Sequence, residues 1–551
     1  MKFPHLLTLI GFAFYSNIYA QDGIIESYPL THIQTDAEKT IPTRSFTETA
    51  PPTGEVRNIA EWEEMESVII AYDGGFGIPY SLIAEMTEDC MVTTIVANTS
   101  EKNTVLSYYE ANGVTIDNCN FVYQDPDSYW TRDYSPWFIA NDNEVAIVNF
   151  PYNRPRPNDN DVPILMADFL DIDLYGMNVT QTGGNYMCDG YGAAAATDLV
   201  TDEEELSLAE INVKMQDYLG IENYHVTLDP LDDYIKHIDC WGKYLDVDKV
   251  LITEVPISDY RYDDYESVAN YFASQNCSWG YPYEVIRVQA ANADDWDVNP
   301  YTNSLILNNK VFVPQSGSSL DAAAIAVYED VMPGYEIIGV YSGSWLNSDA
   351  LHCRTHGVAD TEMLFIKHYP LYGALDYQTN FAINAEVVSY GGSAISSGFP
   401  KLVYKQNSGD WQEIVMTSTG ENNYTANIPG LSGSNEIAYY IYAENDNDKT
   451  ATQPRMGALD AFEFSYSDEG AGITNENQIS FSIYPNPTNG SFNIETSLIN
   501  PKISVYDTKG QLVYTSLVRD TTIDIASLSS GIYVVKLELN DQIGFEKLVV
   551  E

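Results

Sequence analysis

Short apolar runs alternate with amphipathic stretches over the first two thirds of the chain. Ser67-Val68-Ile69-Ile70-Ala71 is a continuous apolar run of strand length, and residues 80–88 then carry helical spacing. Residues 92–96 read as a second strand and 105–111 as a second helix. The same alternation returns at 250–253, 265–274, 285–288 and 305–307, which predicts an α/β domain over residues 51–372. Beyond about residue 378 the helical spacing stops. Segments such as Ile437-Ala438-Tyr439-Tyr440-Ile441-Tyr442-Ala443, separated by Asn, Asp and Gly, predict a β-sandwich over 373–467. A polar stretch from Ser467 to about 478 predicts a linker, and a compact all-β unit follows over 478–551.

The N-terminus has a different pattern. Lys2 and His5 precede an apolar stretch from Leu6 to Tyr15, and Ala20 offers a small residue for cleavage, so residues 1–20 predict a signal peptide. The stretch is too short for a membrane span, and no other run of about 20 apolar residues follows, which predicts no transmembrane segment. Residues 21–50 are polar and aperiodic and read as a flexible leader or pro-segment.

Charge narrows the partners. Eighty acidic against 26 basic residues give a formal charge of −54 in a chain of 551. No basic stripe exists to hold nucleic acid, while cationic substrates would be enriched near such a surface. Six cysteines are few for an exported chain of this length and do not make a disulfide framework, although Cys90 and Cys119 could pair. No C-x-x-C pair suggests zinc, and no metal or organic cofactor is expected.

Candidate chemistry gathers at three places. Cys353 lies in Ala350-Leu351-His352-Cys353-Arg354-Thr355-His356, downstream of Trp130-Thr131-Arg132-Asp133 and of His237-Ile238-Asp239. A guanidinium is a planar cation with five donors that stays protonated, so carboxylates can grip its nitrogens while a thiolate attacks its carbon. His237 would move the protons. If 236–240 is a strand, His237 and Asp239 project together and Cys240 projects oppositely, which demotes Cys240 as nucleophile. Cys188 is a weaker rival because no histidine adjoins it. The acids at Glu203–Glu205 read as a solvated face.

These segments carry a family resemblance. Tyr129-Trp130-Thr131-Arg132-Asp133-Tyr134, Asn149-Phe150-Pro151-Tyr152-Asn153-Arg154-Pro155-Arg156-Pro157, Gln181-Thr182-Gly183-Gly184-Asn185, Tyr234-Ile235-Lys236-His237-Ile238-Asp239-Cys240-Trp241, Pro300-Tyr301-Thr302-Asn303-Ser304 and the Cys353 segment resemble Porphyromonas-type peptidylarginine deiminases. These belong to the guanidino-group-modifying superfamily that includes agmatine deiminases. The resemblance implies a five-bladed pseudo-symmetric α/β propeller (a pentein) followed by an immunoglobulin-like β-sandwich. No fivefold repeat is visible in the sequence. It also implies Cys353, His237, Asp239, Asp133 and Asn303 as catalytic residues and Trp130, Arg154, Arg156 and Tyr234 as substrate-binding residues, with no metal. At the C-terminus, Tyr484-Pro485-Asn486-Pro487-Thr488-Asn489-Gly490, Val505-Tyr506-Asp507 and Gly531-Ile532-Tyr533 resemble the type IX secretion sorting domain. That implies the type IX machinery as a partner and release or display at the cell surface.

The substrate class turns on Arg154 and Arg156. Two residues apart around Pro155, they can aim two fork-shaped donors at one carboxylate. The resembling family clamps the carboxylate of a C-terminal arginine in this way. Agmatine presents an ammonium there, and close like charges cost on the order of 1–4 kcal/mol. The expectation is therefore a secreted deiminase turning peptide arginine, C-terminal arginine above all, into citrulline and ammonia. The alternatives are an agmatine or free-arginine deiminase, a cysteine peptidase, and a surface adhesin with an inactive enzyme core.

Overall fold

In the computed structural model the described residues are 46–142, 144–293, 297–468, 481–496, 498, 500–518, 522–539 and 542–551. The expected signal peptide, the leader up to residue 45 and most of the expected linker lie outside the described residues. Two units separate. One runs to Tyr466, except for a short stretch at 432–434, and the other holds that stretch and the chain from Ser467 onward.

The α/β part of the first unit is built from five small mixed sheets. In three of them a short strand pairs antiparallel with the next strand, which pairs parallel with a third across a helical connection. Gly242–Tyr244, Lys249–Glu254 and Glu284–Gln289 with helix Tyr262–Ala273 form one such unit. Leu305–Leu307, Lys310–Gln315 and Glu336–Tyr341 with helix Asp321–Val331 form another. Met187–Cys188, Ala193–Thr197 and Asn223–Thr227 with helix Leu208–Leu219 form the third. The remaining two add a strand. Val56–Asn58 extends Trp137–Asn141, Glu144–Asn149 and Leu174–Gly176, while His356–Ala359 pairs with Met65–Ala71, followed by Met91–Val96 and Cys119–Tyr123. The pairing of His356–Ala359 with Met65–Ala71 joins the two ends of the α/β region.

The expected elements are present, several with longer ends, although the helix expected at 80–88 stops at Met86. The helix expected at 105–111 begins at Thr99, because the Asn98 side chain accepts hydrogen bonds from the Ser100 and Glu101 amides and so caps it. Strands such as Ile69–Ile70 and Val250–Ile252 are wholly buried, as parallel strands covered on both faces must be.

Strand pairing enters the β-sandwich at Leu364–Lys367, which lies antiparallel to Asn380–Ser389. Two sheets share one core containing Phe381, Ile383, Leu402, Ile428, Tyr439 and Phe464. The sandwich is fastened to the α/β part by ionic and aromatic contacts. Arg57 donates to Glu63 at 2.8 Å and to the Tyr390 hydroxyl at 3.0 Å, with its guanidinium 3.5 Å from the Phe365 ring centroid. Tyr281 stacks on Tyr372 at 3.9 Å. The second unit comprises a three-stranded and a four-stranded sheet over Phe492, Ile503, Val505, Val535, Leu537 and Leu548. Among the described residues no helix is long and apolar enough to cross a membrane.

Arg57 is nearly buried, so deleting it strands the Glu63 carboxylate away from water. Arg57→Ala should cost about 3 kcal/mol in urea unfolding, in line with a broken buried pair. Arg455→Ala, which removes the partner of the half-exposed Glu64, should cost under about 1 kcal/mol.

Candidate active site

Every site segment occupies the same place in its sheet unit, the turn just before the leading antiparallel strand. Asp133 sits in the one-turn helix Thr131–Tyr134, before Trp137–Asn141. Gly183–Asn185 precedes Met187–Cys188, and Ile238–Cys240 precedes Gly242–Tyr244. Asn303 precedes Leu305–Leu307, and His352–Arg354 precedes His356–Ala359. Five turns, one from each unit, thus deliver the polar groups.

These turns interlock through side chain-to-backbone hydrogen bonds. The Asn303 carboxamide oxygen accepts from the amides of His352 at 3.0 Å and Cys353 at 3.3 Å, and its nitrogen donates to the Asp239 carbonyl and to the Cys353 sulfur, both at 3.3 Å. Asn185 accepts from the amides of Thr197 and Ile238 and so fixes the turn carrying Asp239. Arg354 forms a bidentate pair with Asp349 at 2.9 and 2.8 Å, which anchors the cysteine turn from the other side.

The structure brings the expected catalytic set together and buries it. Cys353 Sγ lies 3.8 Å from Asp239 Oδ2, and His237 Nδ1 lies 3.6 Å from Asp133 Oδ1. Cys353, Asp133, His237, Asp239 and Asn303 are all buried. Burial pushes the Cys353 thiol up to about 11, with Asp239, Asp349 and Asp133 adding to the rise and the contact with Cys240 opposing it. Near neutral pH the free thiol is therefore protonated.

One local expectation is corrected. Residues 238–240 form a 3-10 turn, not a strand, so alternation does not apply. Cys240 is not on an opposite face. Its sulfur lies 3.5 Å from Asp239 Oδ1, and its thiol is in hydrogen-bond contact with Cys353. That contact, together with burial, drives the Cys240 thiol well above its usual range. Cys188 is buried elsewhere, its thiol donating to the Ile59 carbonyl at 3.3 Å. All six cysteines are free, Cys90 and Cys119 included.

The substrate-side residues divide. Trp130 is fully buried, and the Arg156 guanidinium lies 4.9 Å from its ring centroid, an arrangement contributing about 0.5–2 kcal/mol. Arg156 also reaches the Tyr152 hydroxyl at 3.5 Å, which in turn donates to Asp133 at 3.5 Å. Arg154 instead pairs with Glu203 at 3.5 Å, and Asn153 donates to the same carboxylate at 2.8 Å. Glu203 is thus a partner of Arg154 and not only a solvated acid. Both arginines line one groove of about 700 Å³. Tyr234 is 52% exposed, within electrostatic reach of Asp349 and Arg154.

Several groups escaped the sequence reading. His352 bridges Asp239 and Glu61, and Glu61 also receives Lys243 and Arg132. Gly184 had a legible signal, a Gly-Gly pair before Asn185. A Cβ there would stand 2.4 Å from His237 Nδ1 and 2.8 Å from Asp133 Oδ1, so only glycine allows those side chains to approach. Among the described residues no group of three or more His, Cys, Asp or Glu side chains has metal-binding geometry.

With buried carboxylates, an imidazole and a thiol in this arrangement, the comparisons with known proteins give the class. Residues 57–358, more than half of the chain, match the Porphyromonas-type peptidyl-arginine deiminase family. The chain belongs to that family of hydrolases acting on guanidino groups. Residues 482–551 match the secretion system C-terminal sorting domain, which marks the protein for secretion or the cell surface. The chain is similar to the agmatine deiminase of Pseudomonas fluorescens, at 24% identity over 291 residues, 44% of this chain and 77% of that protein. A Vibrio parahaemolyticus protein described as "putative agmatine deiminase" is 26% identical over 270 residues, 42% of this chain and 75% of its own length. A solved structure described in the same words shares the fold at a TM-score of 0.51 and 19% identity, covering 57% of this chain and all of its own.

Two outcomes follow from this geometry. Gly184→Ala should lower the rate of ammonia release roughly a hundredfold, because it displaces His237 and Asp133. Alkylation of Cys353 by iodoacetamide in the free enzyme, followed on its tryptic peptide, should rise about tenfold per pH unit from neutrality toward 11. A rate already level near neutral pH would contradict the raised thiol.

Proposed function

We propose that the protein is a secreted peptidyl-arginine deiminase that prefers C-terminal arginine. The observation that carries this reading is the buried thiol of Cys353 beside the Asp239 carboxylate, with Asp133 and His237 paired nearby and two arginines lining the adjoining groove. Asp133 and Asp239 accept hydrogen bonds from the guanidinium and hold its carbon before the sulfur. The bound cation favours the thiolate, which attacks that carbon. His237 protonates the departing nitrogen, the C–N bond breaks, and ammonia leaves a thiouronium on Cys353. His237 then removes a proton from water, which adds to the same carbon. Collapse of this adduct breaks the C–S bond, releasing the thiolate and a ureido product, citrulline. Asn303 steadies the sulfur, and Trp130 walls the guanidinium slot.

Arg154 and Arg156 would clamp the substrate carboxylate, with Tyr234 covering the entrance. The five sheet units fit the blades of a five-bladed α/β propeller, and the sandwich fits an immunoglobulin-like domain. Processing would remove the signal peptide, the leader and the sorting domain, leaving residues 51–372 and 373–467 as the working domains.

Glu203 favours a second reading. A carboxylate on Arg154 could receive an ammonium, and the relatives above are named for agmatine. One assay separates the two: ammonia release from agmatine and from peptides with internal or C-terminal arginine. C-terminal arginine should be the best substrate, and Cys353→Ala should abolish turnover. Replacing both Arg154 and Arg156 with Ala should raise KM for that peptide about tenfold or more, since each hydrogen bond to a charged group contributes about 1.5–3 kcal/mol. Agmatine turned over faster than any peptide would overturn the peptide reading.

A further inference from the structure

Of the two groove arginines, the less buried one already holds an acid. Glu203 directly follows the one-turn helix Leu199–Asp202, with its Oε1 3.5 Å from Arg154 Nη1, and Asn153 donates to its Oε2 at 2.8 Å. One carboxylate thus takes two neighbouring groove residues, one through each oxygen. The acids on either side of it are anchored elsewhere. Glu204 accepts from the Thr180 amide, and Asp202 takes Lys236 Nζ at 2.6 Å, with Asp198 at 3.2 Å. Lys236 immediately precedes His237, so the acidic turn spans from the groove to the His237 turn.

The Arg154–Glu203 pair differs from a structural one. Arg354 and Asp349 are buried and joined twice, at 2.9 and 2.8 Å. Arg154 meets Glu203 through one nitrogen at 3.5 Å, and the acid keeps 28% of its side chain in solvent. Burial pushes the Glu203 carboxyl above its usual range, and Asp202 adds to the rise, while Asn153 and Arg154 oppose it. Lost hydration therefore works against the pairing. A single long contact of this kind exchanges readily for another carboxylate. Because Asp202 and Glu204 stay fixed, the exchange moves one side chain and leaves the turn in place.

We propose that Glu203 is a specificity-determining stand-in for the substrate carboxylate, occupying Arg154 in the free enzyme and yielding it when a C-terminal arginine binds. This rests on the reading that Arg154 clamps that carboxylate. The fork of Arg154 has donors to spare, but a second carboxylate beside Glu203 meets a like charge at close range. A substrate carboxylate thus replaces the acid, and its binding is weakened by the exchange. A neutral group at the same place, such as the peptide amide that follows an internal arginine, leaves the Glu203 contact intact and bears no such cost. Glu203 therefore narrows the advantage of C-terminal over internal arginine, and its removal widens it.

The test uses the full chain and one peptide ending in arginine, as the free acid and as the carboxamide. The readout is the ratio of KM for the amide to KM for the acid, with an inhibition constant in place of KM where a form is not turned over. Glu203→Gln should raise that ratio about fivefold, the size expected when a partly exposed ion pair is removed. Glu203→Ala, which removes the accepting oxygens as well, should raise it at least as much. In an Arg154→Ala background neither change should move the ratio. An unchanged ratio in both Glu203 variants, or an equal rise without Arg154, overturns the proposal. A raised KM for agmatine with the peptide ratio unmoved makes Glu203 an ammonium receptor instead, and overturns it too. If Arg154→Ala alone leaves KM for the acid unchanged, the clamp reading itself fails and takes the stand-in with it, so that variant tells the two failures apart.

Discussion

Buried acids must be answered by charge or by hydrogen bonds, and this constraint organises the α/β part of the molecule. Asp133, Asp239 and Glu61 lie in the interior, where an isolated carboxylate would cost several kcal/mol. Arg132, Lys243 and His352 meet them from neighbouring turns and strands. A cationic substrate completes such a site better than a neutral one, which ties the packing of the five units to guanidinium chemistry.

The architecture explains how distant segments supply one site. Asp133, Asn185, Asp239, Asn303 and Cys353 are separated in sequence by 50 to 64 residues, yet each lies in or beside the turn that leads into the leading antiparallel strand of its sheet. Asn303 links three of these turns by donating and accepting at once. The thiol that results is buried and protonated. In the proposed reaction its reactivity is held back until a cation enters, a useful property in a protein exported to a setting where exposed thiols are oxidised.

Much of this was legible in the sequence, for identifiable reasons. Ser67–Ala71 and Val250–Thr253 are apolar enough to be strands in almost any context, while Asp133, His237, Asp239 and Cys353 are each weak signals alone and point to one chemistry only in their ordered combination. The repetition of the five sheet units was not legible, because its common feature is a turn position filled by Asp, Asn, Asp, Asn and Cys in turn, with no shared motif around it. Cys240 was misplaced because a period of two was assumed where the chain makes a 3-10 turn. His352 and Glu61 were missed because their partnership spans 291 residues and depends on the closing pairing of His356–Ala359 with Met65–Ala71. Glu203 looked like surface charge until Arg154 was seen against it.

The central claim is that the Cys353 sulfur bonds covalently to the guanidinium carbon during turnover. Rapid acid quench with a C-terminal arginine peptide, followed by mass spectrometry of the digest, tests it directly. The account predicts an adduct on the Cys353 peptide equal to the substrate less ammonia, appearing and decaying as product forms. Ammonia release with that peptide unmodified throughout, or an adduct on Cys240 alone, would contradict it.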